Sequence, residues 1–162
     1  MKNAVVAMVI SGLCICACKS QDTEVPDKGA ISGGGEFVTT ATTKQLMTWI
    51  LEPNSDIVWA AVGSVTTDKG EEKLAPKTDA DWNNVRNSAA TVAEMGNLLL
   101  VSPHKRDEDW VNMTHTMIQK ANECVQAAEA KDVDSLFTAG GDLYLACTAC
   151  HTKFVIANAN NK

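Results

Sequence analysis

From about residue 39 onward the apolar residues recur at spacings of three and four, the period of a helix face, and no stretch alternates cleanly with period two. The first apolar run, about 39 to 63, carries Leu46, Met47, Ile50 and Leu51, then Ile57, Val58, Ala61 and Val62. Pro53 lacks an amide hydrogen and is expected to kink or split this helix, with Gly63 closing it. "SVTTDKGEEKLAPK", residues 64 to 77, then reads as a polar loop. Thr78 with Asp79 and Asp81 suits an N-cap and opens a second helix to about 100, with the stripe Trp82, Val85, Ala89, Val92, Gly96 and Leu99. Ser102-Pro103 ends it. Asp107-Glu108-Asp109 begins a third helix to about 130, with Trp110, Met113, Met117, Ala121, Cys124 and Ala128 on one side. Lys131-Asp132 is a tight connection, and Asp132 or Asp134 caps a fourth helix to about 157. Four such helices joined by mostly short links predict an all-α fold, an antiparallel four-helix bundle over 39–162, without internal repeats.

The first residues have a different character. Lys2 is followed by "AVVAMVISGLCICAC", an apolar run too short for a comfortable membrane span and suited to a secretory signal. Ile15-Cys16-Ala17-Cys18 resembles the lipobox of bacterial lipoproteins, with Cys18 the residue that is acylated and becomes the new N-terminus. Cys14 and Cys16 follow Leu13 and Ile15, where a small residue is wanted. The expectation is a signal peptide over 1–17 and a lipid anchor on Cys18. Lys19 replaces the aspartate that retains Gram-negative lipoproteins at the inner membrane, so the outer membrane is the expected address. Residues 18–38, rich in polar residues and Gly33-Gly34-Gly35, read as a flexible tether. A free chain of that length spans about 25 Å. Cleavage before Cys18 removes one cationic side chain and takes the net charge from −6 to −7, which argues against a nucleic-acid surface. It leaves three cysteines in the domain, Cys124, Cys147 and Cys150.

Two of them stand in "CTACH", residues 147 to 151, for which three chemistries compete. A thioredoxin-like pair belongs at the start of a helix following a strand, and this one lies deep in the last helix. A zinc site needs four ligands, so Cys147, Cys150 and His151 would have to recruit Cys124, His104 or His115. C-x-x-C-H is the direct signature of c-type haem attachment. On a helix Cys147 and Cys150 share nearly one face, so both thiols reach the two vinyl groups of one porphyrin, and His151 follows about 100° around the axis. Attachment of this kind belongs to an exported compartment, which the leader supplies.

Taken with the four helices, about 40 to 157 resembles the class II c-type cytochromes, the cytochrome c′ family and its low-spin, methionine-ligated relatives. The resemblance is carried by "LFTAGGDLYLACTACHTKF" near the end and "KQLMTWILEPNSDIVWAAVG" near the start. Phe137, Gly140, Gly141, Tyr144 and Phe154 fit the family's aromatic and small positions around the motif, the two glycines leaving room for close approach of a helix or the haem. The chain departs from the pattern at Val155, where the family has a basic residue, and at Pro53. The resemblance implies one covalent haem c held through Cys147 and Cys150, with His151 as the proximal iron ligand. Aligned by Gly63, Met47 falls where members carry a bulky aliphatic or a ligating methionine, which makes it the candidate sixth ligand. Helical spacing puts Met47 on a face with Thr43, Ile50 and Leu51.

The remaining candidates have simpler readings. His104 is expected to be a solvated surface histidine and His115 to lie on a polar face. Cys124, Met95, Met113 and Met117 read as core filler, and Trp49, Trp59, Trp82 and Trp110 as helix packing residues. The functional expectation is a periplasm-facing, membrane-tethered c-type cytochrome carrying single electrons to periplasmic redox partner proteins, without catalytic residues of its own. The alternatives are a haem protein that binds or senses diatomic gases and a non-redox metal-binding lipoprotein. Self-association as a homodimer stays open.

Overall fold

A computed structural model of the chain describes residues 38–157. The leader, Cys18, nearly all of the expected tether and the tail beyond 157 lie outside the described residues. The chain is mostly helical. Helix α1 (Thr43–Leu46) passes through a π turn (Met47–Leu51) into α2 (Glu52–Ala60). A hairpin of β1 (Gly63–Thr67) and β2 (Gly70–Leu74) follows, then α3 (Asp79–Leu99), α4 (Glu108–Glu129) and α5 (Val133–His151). A π segment, Thr152–Ile156, extends α5.

Local chemistry sets the helix starts. Thr78 and Asp81 form a reciprocal capping box on α3, Asp107 accepts from the Trp110 amide on α4, and Asp132 accepts from the Asp134 and Ser135 amides on α5. The expected stripes on α3 and α4 are buried, apart from Met113, which is half-buried.

Three expectations are corrected. The segment after Gly63 is an antiparallel hairpin with Thr67 opposite Gly70, not a loop. Val65-Thr66-Thr67 supplies β-branched residues, and Gly70, at φ +117, takes a backbone conformation that a side chain would resist. The first helix is disturbed at Pro53, but by a π turn rather than a break, and it ends at Ala60, ahead of Gly63, which opens β1. It widens ahead of the proline, where the Glu52 amide reaches back to the Met47 carbonyl and the Asn54 side chain donates to the Ile50 carbonyl at 2.7 Å. His104 is not solvated: it is 3% exposed, and its Nδ1 lies 3.0 Å from the Thr43 hydroxyl.

Side-chain pairs fix the helix directions. The Trp110 indole donates to the Leu99 carbonyl at 2.9 Å and Lys131 pairs with Asp79 at 2.7 Å, so α4 runs opposite to α3. Lys120 pairs with Asp142 and Lys153 with Asp109, so α5 runs opposite to α4. The first helix begins beside His104 and ends beside Gly140, where the Trp59 indole donates to the Gly140 carbonyl at 3.0 Å. It therefore runs opposite to α5. Val58, Val92, Leu99, Cys124, Leu136 and Leu143 are the most enclosed large side chains between these helices.

Candidate cofactor-attachment site

On α5 the buried positions are Leu136, Ala139, Gly140 and Leu143, and Cys147, Cys150 and Phe154 continue that stripe, half-buried against the core. Both thiols are free and turned inward. Burial pushes the Cys147 thiol up to about 11, with Cys150 adding to the rise. Burial also raises Cys150, opposed by the positive charge of Arg106. Neutral thiols near the C-terminus of a helix are the reverse of a thioredoxin-like nucleophile, which is a stabilised thiolate at a helix start.

His151 belongs to a different face. It lies seven residues, two turns, beyond Tyr144, whose ring meets Trp59 edge-on at 5.4 Å between centroids. The imidazole thus stands on the side that α5 turns toward the first helix. It is nevertheless exposed, and among the described residues no hydrogen-bond partner engages it. The first helix touches α5 at Val58 and Trp59, whereas two turns further on the π turn packs closely against α3.

Met47 begins this π turn. Trp59 is level with Gly140; twelve residues back along the first helix is Met47, and eleven forward along α5 is His151. At about 1.5 Å per residue the two reach the same height to within roughly one or two residues' rise. Met47 is half-buried and packs against the core edge. Its expected sharing of the inward face with Leu51 holds only in part. The buried positions along the first helix are Leu46, Leu51, Ser55, Val58 and Val62, so the step across the π turn is five residues. In an unbroken α-helix the inward slot four residues before Leu51 would be Met47. The π turn gives that slot to Leu46.

Sequence reasoning missed the support beside the motif. Arg106 stacks over Trp110 at 4.5 Å and over Phe154 at 5.7 Å, and Trp110 meets Phe154 edge-on at 5.1 Å. With Val155 exposed, Arg106 is the cation that reaches Cys150. The only prior signal was a basic residue one step before the α4 cap. Close approach of a helix is seen at Gly140, where Trp59 bonds to the backbone, while Gly141 has no protein atom within 4 Å of an added Cβ. Phe137 and Tyr144 are 63% and 55% exposed, and Trp49, expected to pack between helices, is 62% exposed.

The zinc alternative lacks its ligands: Cys124 lies in the core, His104 is bonded to Thr43 and His115 is exposed. Among the described residues no three or more His, Cys, Asp or Glu gather to hold a metal. Two free inward thiols three apart, an unengaged imidazole beside them and a thioether level with it on a neighbouring helix fit the donor chemistry of a c-type haem. Among the described residues no helix is long and apolar enough to cross a membrane. Compared with protein-family models, curated proteins and solved structures, the chain matches none.

Proposed function

We propose that this chain is a single-haem c-type cytochrome of antiparallel four-helix-bundle build that carries electrons one at a time. The observation that carries the reading is the division of labour on the last turns of α5: Cys147 and Cys150 are free thiols packed against the core, while the His151 imidazole is exposed on another face of the helix. The haem would supply one-electron chemistry at its iron. Cys147 and Cys150 would hold the ring through two thioethers, with the His151 imidazole and the Met47 sulfur as the candidate iron ligands. A thioether sixth ligand favours reduced iron and keeps exogenous ligands out. The partners are periplasmic redox proteins, reached from a lipid anchor on Cys18 in the outer membrane.

The test is the exported, full-length protein on a denaturing gel stained for haem peroxidase activity. Stain should migrate with the polypeptide, and the double substitution of Cys147 and Cys150 by alanine should release it. An unstained wild-type band would remove the reading. In the reduced absorption spectrum, sharp low-spin bands support electron transfer, whereas broad bands that shift with carbon monoxide assign gas binding instead. Mass spectrometry should find a diacylated Cys18 at the mature N-terminus. A chain that begins elsewhere would leave the cytochrome reading and remove the anchor.

A further inference from the structure

We infer that the Pro53-driven π turn is a positioning device that keeps the Met47 sulfur out of the core and free to face His151. The inference rests on the haem reading and deepens it. Its starting point is the five-residue step between the buried residues Leu46 and Leu51. Two independent features produce that step. Pro53 offers no amide hydrogen to the preceding turn and its ring crowds the carbonyl behind it, so the α-helical ladder cannot close there. The turn widens instead: the Glu52 amide reaches Met47 five residues back, and the Asn54 side chain supplies a donor to Ile50. Packing acts in the same direction, because Leu46 fills the inward slot and is 3% exposed.

The consequence falls on one side chain. With α-helical spacing Met47 would occupy the slot four residues before Leu51 and would be enclosed as ordinary core filler. With the π turn it stands beside the slot, half-buried. It is also level with the exposed His151, on a segment that packs against α3. Pro53 is therefore a positioning residue for the sixth site, acting through Met47. Widened turns of this kind often occur where a helix must present a functional group.

The experiment compares absorption spectra of the full-length haem-loaded protein with those of Pro53→Ala, Leu46→Ala and, as a reference, Met47→Leu. Pro53→Ala removes the backbone cause of the widened turn, and Leu46→Ala removes the packing cause. Each should let Met47 fall into the inward slot. The expected result is loss of the weak near-infrared methionine–iron band and a carbon monoxide response like that of Met47→Leu. Helical circular dichroism and the haem stain should stay at wild-type levels, which separates lost positioning from unfolding. Conversion in either variant supports the inference. Retention of the band in both overturns it, as does a wild type that already binds carbon monoxide, and both results leave covalent attachment intact. An unstained wild type fails the haem reading itself before any variant is compared.

Discussion

Cys124 lies fully enclosed on α4. Burial pushes its thiol from 9.0 up to about 12, and the nearby acids Glu123 and Asp142 add to the rise. The unfolded chain releases this proton near the ordinary value while the folded chain holds it. Stability is therefore full below about pH 9 and declines as pH climbs toward 12, by up to about 1.4 kcal/mol per unit. Urea denaturation from about pH 8 to about pH 11 should show that decline, and Cys124→Ala should make it shallower, the raised Cys147 and Cys150 thiols supplying the remainder. Equal alkaline slopes in the two proteins would mean that another group sets them. The core role of Cys124 was legible from its place on an apolar stripe. The burial of His104 was not, because its partner Thr43 is remote in sequence and loop residues carry no period to read.

Elements differ in how they use glycine. On α3, Gly96 lies where α4 crosses: an added Cβ would overlap the Ile118 Cγ1 atom and lie 3.1 Å from the Met117 terminal methyl. Gly96→Ala should cost roughly 1–2 kcal/mol, because overpacking outweighs the gain in helix propensity. Gly141 on α5 has nothing within 4 Å, so Gly141→Ala should stabilise by about 0.5–1 kcal/mol. Thermal unfolding of both variants checks the pair, and opposite signs are the expected outcome. The helices Asp79–Leu99, Glu108–Glu129 and Val133–His151 were legible to within a few residues, since an apolar stripe and an acidic or hydroxyl cap coincide at each. The hairpin was hidden for a physical reason. Nearly all its residues are exposed, so neither strand has a buried side to create alternation. The π turn was hidden because Leu46 and Met47 are both apolar, and a step of five from one looks like a step of four from the other. Of the site, the thiols and imidazole were plain in "CTACH". The level of Met47 with His151 depends on how the first helix packs beside α5, which no local pattern encodes.

Across the whole molecule the paired side chains sort the chain into two ends. One end gathers Thr43, His104, the Trp110–Phe154–Arg106 stack and the motif. The other holds the Lys131–Asp79 pair and the turn between α4 and α5. Lys153–Asp109 and Lys120–Asp142 tie α4 to α5 along their length, though partly exposed pairs contribute little each and fix alignment more than stability. The first helix starts at the motif end and hands over to the hairpin past Trp59. The hairpin therefore lies downstream of the helix end remote from His151, and its strands bury almost nothing. This gives the protein a handle. Lengthening the Asp68-Lys69 tip should be nearly free, since each doubling of a flexible loop costs only about 0.6 kcal/mol in closure. A whole second domain, or a thiol linker to an electrode, could be spliced in at that tip. The expected outcome is a thermal midpoint within a few degrees of the parent and, under the haem reading, an unchanged visible spectrum. Displaced bands would mean that the two ends communicate. If they do not, the molecule can be fixed to a surface from behind while the motif end stays untouched.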